Sequence, residues 1–329
     1  MLPNRPFGLT GRAFCPIGFG AWAIGGTWGE VSEADAEAAV EAALDSGADF
    51  IDTADVYGDG RSERIIARVL ARRPGPRPFV ATKTGRRISP HVAAGYTRET
   101  LAAHIDRSRT NLQMDCLDLV QLHCPPSAVY DRAEVFDAMA DLQAAGRIAG
   151  FGVSVERIDE AMKALEIPGM QSVQIIYNLF RQRPQDGFLA AAAARGVAVI
   201  ARVPLASGLL TGKMRPDSAF AADDHRSFNR DGAAFDKGET FSGVPFDLAL
   251  QAVDDLRPLV PAGQTMAAFA LRWILMQQAV TVVIPGSKSP AQSRGNAVAL
   301  TMPPLSAETM DAARAVYTRR IAPHVHHLW

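Results

Sequence analysis

Four residues of this chain have the types and placement for proton chemistry, and each lies at or just after the end of a short apolar run. Phe50-Ile51-Asp52 is followed by Thr53-Ala54-Asp55-Val56-Tyr57-Gly58, Pro78-Phe79-Val80-Ala81-Thr82 by Lys83, and Leu117-Asp118-Leu119-Val120-Gln121-Leu122 by His123. A phenol has an ordinary pKa of about 10, so Tyr57 can serve as an acid near neutrality only if a neighbour stabilises its phenolate. Lowering that pKa to near 7 needs roughly 4 kcal/mol, which a partly desolvated cation within about 6 Å can supply. Lys83 is the candidate cation, Asp52 the carboxylate that would hold and charge it, and His123 the donor that would orient a carbonyl oxygen. The chemistry these residues suit is protonation of a carbonyl oxygen as a hydride arrives at its carbon. Alone, each has an ordinary reading as a turn residue, a surface residue or a structural histidine. Four at three successive strand ends converge on one site.

Such convergence requires strands that run the same way, and the rest of the chain supplies that pattern. Short apolar runs starting near Ile17, Phe50, Phe79, Leu117, Gly150, Val173, Val197 and Thr281 alternate with Ala-rich amphipathic segments. Eight β-then-α units predict an α/β fold, a single (β/α)8 TIM barrel over residues 1–329, with chemistry at the C-terminal ends of its strands. Helices are predicted at 32–46, 62–71, 97–111, 132–145, 156–165, 185–195, 246–256, 265–277 and 290–300. Ser32 reads as an N-cap, and Gly47, Gly146 and Gly196 as left-handed helix stops. Residues 214–245, after the seventh strand, are polar and aperiodic, as a lid or binding loop would be, or a solvated insertion, and a C-terminal extension follows the eighth unit. Gly18-Phe19-Gly20-Ala21-Trp22-Ala23 satisfies a loose dinucleotide-binding fingerprint. Gly25-Gly26-Thr27-Trp28-Gly29 follows it rather than a helix, so it is expected to be a barrel-strand exit.

Composition narrows the function classes. With 48% hydrophobic and 21% charged residues and a net charge of −1, the chain has material for a core but no basic stripe for nucleic acid or an acidic membrane. No apolar run approaches the roughly 18 residues of a membrane span, and the expectation is a soluble, cytoplasmic protein acting on small molecules. Cys15, Cys116 and Cys124 fit neither a disulfide framework nor a zinc site. Cys124 follows His123 directly, but adjacent strand-end residues point to different faces, which disfavours a Cys/His nucleophile. His324 and His326 alternate as on a strand, yet no acidic or thiol ligand joins them, so no metal is assigned. Trp22 and Trp28 are candidate substrate walls beside Tyr57 and His123, although one of them would serve equally well simply to pack the first loop. Gly286-Ser287-Lys288 opens toward a helix at Pro290, where an anion would meet a helix N-terminus, a hydroxyl and an ammonium.

The chain resembles the aldo-keto reductases. The likeness is carried by Asp52-Thr53-Ala54-x-x-Tyr57-Gly58, Thr82-Lys83, Asp118-Leu119-x-x-x-His123, Ser207-Gly208-Leu209-Leu210-Thr211-Gly212-Lys213 and Ile284-Pro285-Gly286-Ser287-Lys288, in order over nearly the whole chain. The resemblance implies an NADP(H)-dependent oxidoreductase of small aldehydes or ketones, or in reverse of alcohols or sugars. It gives Asp52, Tyr57, Lys83 and His123 the roles argued above. It places the cofactor along Gly20, Ala21, Trp22, Asp52, Ser154, Gln174, Arg202, Pro204, Leu205, Gly208, Leu209, Lys213, Gly286, Ser287, Lys288, Gln292 and Asn296. Within that set Ser154 and Gln174 match positions that hold the nicotinamide carboxamide, and Asn296 one that contacts adenine. The Ser207–Lys213 run covers the pyrophosphate, and Ser287 and Lys288 meet the 2′-phosphate, which favours NADPH over NADH. Val155 stands where many relatives carry Asn, Gln292 where some use Arg and Gly295 where some use Glu. Arg202 stands where many place an aromatic ring against the nicotinamide, and a cation there is expected to favour the reduced cofactor. A second reading keeps fold and cofactor but makes the protein a redox-sensing module, like the potassium-channel β-subunits of the same superfamily. A barrel hydrolase built on Asp52 and His123 would leave Tyr57, Lys83 and Lys288 without roles. Oligomeric state and physiological substrate are not legible.

Overall fold

The computed structural model describes residues 2–26 and 28–329; Thr27, in the glycine-rich run after the first barrel strand, lies outside them. Strands β1 (Arg5–Pro6) and β2 (Ala13–Phe14) form an antiparallel hairpin that the sequence pattern does not announce. The barrel strands follow: β3 (Phe19–Gly20), β4 (Phe50–Asp52), β5 (Phe79–Thr84), β6 (Leu119–His123), β7 (Phe151–Ser154), β8 (Met170–Ile176), β9 (Ala198–Arg202) and β10 (Val280–Val283). They pair in parallel in chain order as an eight-stranded sheet. Parallel bridges from Ile17 to Val283 and from Gly20 to Gly286 join its edges, closing the (β/α)8 barrel.

Local chemistry explains the outer helices. The Ser32 hydroxyl accepts from the Asp35 N–H to start helix Glu33–Asp45, and Gly47, Gly146 and Gly196 all take positive φ at helix stops. The helix expected at 156–165 begins only at Ile158, because the Glu160 carboxylate reaches back to the backbone N–H groups of Glu156 and Arg157. One helical turn, Trp22–Gly25, does follow the Gly18-x-Gly20 strand exit, contrary to expectation. A four-residue turn against a closed barrel is not the long helix of a dinucleotide-binding crossover.

The hairpin fills the N-terminal end of the barrel. Phe7 and Phe14 meet Phe50 and Phe79 with ring centroids 4.9 to 5.8 Å apart. The Arg5 guanidinium donates to the carbonyls of Leu275, Gln277 and Val280. Residues 214–245 are ordered across the other end. The Asn229 side-chain Oδ1 accepts from the Ala234 and Phe235 N–H groups, and the Ser207 hydroxyl donates to the Glu239 backbone carbonyl and accepts from the Phe241 N–H. The C-terminal segment forms a helix, Ala307–Val316, that continues through Tyr317–Ile321 and Ala322–Val325. His324 and His326 therefore lie at a helix end rather than on a strand, with His326 bonded to the Tyr317 hydroxyl at 2.8 Å. Trp329 donates its indole N–H to Asp236 and stacks on Arg181, seating the chain end beneath the crossing segment. Among the described residues no helix is long and apolar enough to cross a membrane.

Candidate active site

Asp52 ends β4, Lys83 lies near the end of β5 and His123 ends β6, so strand register alone brings three of the four predicted groups to one rim. Tyr57 arrives by a different device. Its loop is pinned to the helical turn at Trp22–Gly25 by backbone-to-backbone contact: a Cβ on Gly58, which has φ +59°, would lie 1.9 Å from the Gly25 carbonyl oxygen, and one on Gly25 would lie 2.7 Å from the Tyr57 Cβ. No side chain fits at either place, and the approach fixes where the phenol emerges.

The Lys83 ammonium donates to Asp52 Oδ1 at 2.5 Å, to the Thr53 carbonyl at 2.9 Å and to the Tyr57 hydroxyl at 3.4 Å. The His123 ring stands edge-on to Tyr57, with centroids 5.9 Å apart and planes at 84°. Burial pulls the Lys83 pKa down, but Asp52 and Tyr57 outweigh it and the net direction is up, so Lys83 stays an ammonium. Burial pushes the His123 pKa well below the usual imidazole range, and Arg86, Lys83 and Arg202 add to it. A neutral His123 remains a donor from one ring nitrogen. Tyr57 departs from the expected lowering. Burial raises its pKa by more than Lys83 lowers it, because the ammonium is drawn toward Asp52 and reaches the phenol only at 3.4 Å. At neutral pH Tyr57 is a protonated phenol, the form that can give a proton away.

These groups open onto a cleft of about 460 Å³ whose walls include Trp22, Tyr57, His123, Arg86, Glu156 and Phe235. The two tryptophans pack edge-on to each other at 5.4 Å, and both meet His225. Trp22 also stacks near Tyr57 (6.1 Å, 19°) and lines the cleft, and Trp28 lies under the Arg226 guanidinium. Facing Tyr57 is an ion-pair network that the sequence reading missed. Arg86 donates to Glu156 (3.1 Å) and Glu239 (2.5 Å), and Arg202 donates to Glu156 (2.8 Å) and the Val155 carbonyl (3.0 Å). Burial and Glu239 raise the Glu156 pKa, while Arg86 and Arg202 hold Glu239 low despite its burial. Cys124, Glu156 and Glu239 bring potential ligand atoms within 4.8 Å of one another, but both acidic side chains are already bonded to guanidinium groups. The thiol is pushed up to about 12, chiefly by burial, and so is no thiolate nucleophile at neutral pH.

The residues assigned to the cofactor divide into groups. Gly20 pairs with Asp52 and bridges to Gly286, and the Ala21 N–H donates to the Asp52 carbonyl, so these positions form the rim itself. Beyond β9 the backbone is strained: Val203, Ala206 and Ser207 have φ of 51°, 47° and 54°, with buried Pro204 and half-buried Leu205 between them, and Gly208 follows at 97°. Left-handed geometry costs a β-branched residue such as Val203 of order 1 kcal/mol or more, and such strain clusters where a ligand is clamped. Buried Leu209 anchors this segment, and Lys213 is exposed at its end. Across the rim Gly286 is exposed, Ser287 Oγ accepts from Asn296 Nδ2 (3.1 Å), and the Lys288 ammonium donates to the Trp28 carbonyl (3.1 Å). Exposed Gln292 returns its side-chain oxygen to the Lys288 N–H, and Ser289 caps helix Pro290–Ala297. A hydroxyl, an ammonium and a capped helix N-terminus form a donor set that suits a phosphate.

Three of the assigned residues have other partners. The Ser154 hydroxyl accepts from the Cys124 N–H at 3.0 Å, holding the turn after His123, where Cys124 has φ +44°. The Gln174 amide donates to Asp52 Oδ2 at 2.7 Å, across the barrel. Arg202 is buried, and its guanidinium lies 2.8 Å from Glu156. The residues no motif announced are Gln121, Arg86, Glu156 and Glu239. Of these only Gln121 left a signal, since it shares the inward face of β6 with His123 at a spacing of two.

The chain is 33% identical over 293 residues to the aldo-keto reductase YhdN of Bacillus subtilis, covering 86% of this chain and 84% of that one. The solved glycerol dehydrogenase of Gluconobacter oxydans superposes with a TM-score of 0.78 at 28% identity, covering 97% of this chain and 95% of that one. An aldo-keto reductase of Klebsiella pneumoniae in complex with NADPH shares the fold, with a TM-score of 0.70 at 23% identity and 96% of each chain covered. With a sequence model of the Aldo/keto reductase family matching residues 16–318, the chain belongs to that family of oxidoreductases.

Proposed function

We propose that the whole chain works as one barrel domain, a cytoplasmic NADP(H)-dependent carbonyl reductase in which Tyr57 is the general acid, and the general base when the reaction runs in reverse. The observation that carries this reading is the buried Lys83 ammonium lying between Asp52 and the Tyr57 hydroxyl, with Tyr57 and His123 both on the cleft wall. A bound nicotinamide nucleotide supplies the hydride. Tyr57 gives its proton to the carbonyl oxygen, Lys83 stabilises the phenolate left behind, and neutral His123 donates a hydrogen bond that sets the carbonyl's angle. Ser287, Lys288 and the helix start at Pro290 would hold an adenosine phosphate, and the 203–213 segment the pyrophosphate.

Fluorescence titration with NADPH and with NADH, followed by a panel of small aldehydes and ketones, tests the reading. Tight NADPH binding with turnover supports it. Tight binding with no turnover on any carbonyl points instead to a redox-sensing module, and failure to bind either nucleotide rejects both. Lys288→Ala is expected to weaken NADPH binding about tenfold to a hundredfold, the worth of one charge-assisted hydrogen bond, and to leave NADH nearly unchanged. An equal loss for both nucleotides would place the 2′-phosphate elsewhere. Because burial keeps Tyr57 protonated, carbonyl reduction should be flat across neutral pH, while alcohol oxidation, which needs the phenolate, should rise toward alkaline pH. An oxidation rate independent of pH would remove Tyr57 from the base role.

A further inference from the structure

We propose that Gln121 and Gln174 are positioning residues that keep the shared proton of the Asp52–Lys83 pair on Lys83. The inference rests on the assignment of Tyr57 as acid and base, and extends it to the groups behind the ion pair.

Asp52 Oδ1 is occupied by Lys83, while Oδ2 accepts from Gln174 Nε2 at 2.7 Å and from Gln121 Nε2 at 3.2 Å. A carboxylate offers only lone pairs, so each glutamine must present its amide nitrogen. The two amides also meet each other, Gln174 Nε2 lying 3.5 Å from Gln121 Oε1. None of Asp52, Lys83, Gln121 and Gln174 is more than 2% exposed, so water cannot substitute for a missing donor. The residues come from β4, β5, β6 and β8, which makes the cluster a cross-barrel tie rather than a local turn.

A dry carboxylate–ammonium pair has a neutral alternative, in which the proton moves from nitrogen to oxygen and no charge separation remains. Low polarity favours that alternative, whereas hydrogen bonds donated to a carboxylate favour the ionised form. Two amide donors on Oδ2 therefore weigh toward Asp52 as carboxylate and Lys83 as ammonium. Where the proton sits matters at Tyr57. A charged Lys83 stabilises the phenolate formed as Tyr57 donates its proton, and a neutral amine at the same 3.4 Å has no charge with which to do so.

Gln121→Met and Gln174→Met, made separately, remove the donors with little change in side-chain volume, so misfolding of one variant leaves the other informative. Lys83 is read directly by nitrogen NMR of protein carrying ¹⁵N-labelled lysine side chains, with the signal assigned by its loss in Lys83→Met. Wild-type Lys83 should remain an ammonium well into the alkaline range. In each Met variant the Lys83 nitrogen signal at neutral pH should move toward the neutral-amine position, as the proton passes to Asp52 without leaving the pair, kcat for carbonyl reduction should fall about tenfold, and KM for the carbonyl should hold. A Lys83 nitrogen signal that stays at the ammonium position at neutral pH in both Met variants, as in the wild type, would overturn the proposal. The NMR readout needs neither cofactor nor turnover. A failure of the reductase assignment would appear in nucleotide binding, and a failure of this proposal in the lysine nitrogen signal.

Discussion

Replacing Tyr57 by Phe is expected to lower turnover by about 10²- to 10⁴-fold, the usual worth of a positioned general acid, while nicotinamide nucleotide affinity stays within about twofold. The variant removes one oxygen and little else. The Phe ring can keep the Trp22 stack at 6.1 Å, the edge contact with His123 at 5.9 Å and the Lys83 ammonium 5.0 Å from its centroid. Lys83 keeps its bonds to Asp52 and the Thr53 carbonyl. Lys83→Met should also stop turnover but for a mixed reason, since it strands the buried Asp52 carboxylate. Breaking a buried ion pair in that way costs about 3–5 kcal/mol of stability. Urea unfolding measured beside the kinetics separates the two: Tyr57→Phe should be stable and inactive, Lys83→Met inactive and destabilised. A parallel loss of nucleotide affinity and turnover in Tyr57→Phe would contradict the acid assignment.

Asp55→Asn is expected to stabilise the protein above neutral pH by about 2–4 kcal/mol, with the gain vanishing near pH 4. Asp55 lies three residues after Asp52 and is fully buried, and no side chain among the described residues donates a hydrogen bond to its carboxylate. Burial first, then Glu63, pushes its pKa from 3.8 to about 7, against the pull of Arg87 and Arg107. A folded-state pKa above the unfolded value means that the folded protein holds the proton longer. Stability therefore falls as pH rises from about 4 to about 7, and the full penalty persists above that. Asn does not ionise and escapes it, at the same size and with the same buried polar end. Urea midpoints of wild type and variant at pH 4, 5.5 and 8 should diverge as pH rises, and a constant difference would show that Asp55 has an ordinary carboxyl pKa. The cost falls on the loop that carries Tyr57, where departures from ordinary burial rules are most often found.

How much of this was legible beforehand follows from the range over which each signal acts. Strand-then-helix alternation, the Ser32 cap and the glycine stops at 47, 146 and 196 are decided within a few residues, and the chain alone determined them. Parallel strands with outer helices then require Asp52, Lys83 and His123 to share one rim, so the site was readable as soon as the fold class was. The two-residue strands of the N-terminal hairpin were not, because pairs that short have no periodicity and are held by four phenylalanines from three separate segments. Gln174 reaches Asp52 across 122 residues, and Arg86 reaches Glu239 across 153. Whether a buried amide faces a cofactor or a carboxylate, and whether a guanidinium is free or neutralised, depends on barrel closure and on where residues 214–245 lie. The sequence by itself determined the barrel, the rim that gathers Asp52, Lys83 and His123, and the phenol proposed as the acid. Only the tertiary structure decided the protonation states at that rim, because those depend on burial and on partners far apart along the chain, which no local pattern encodes.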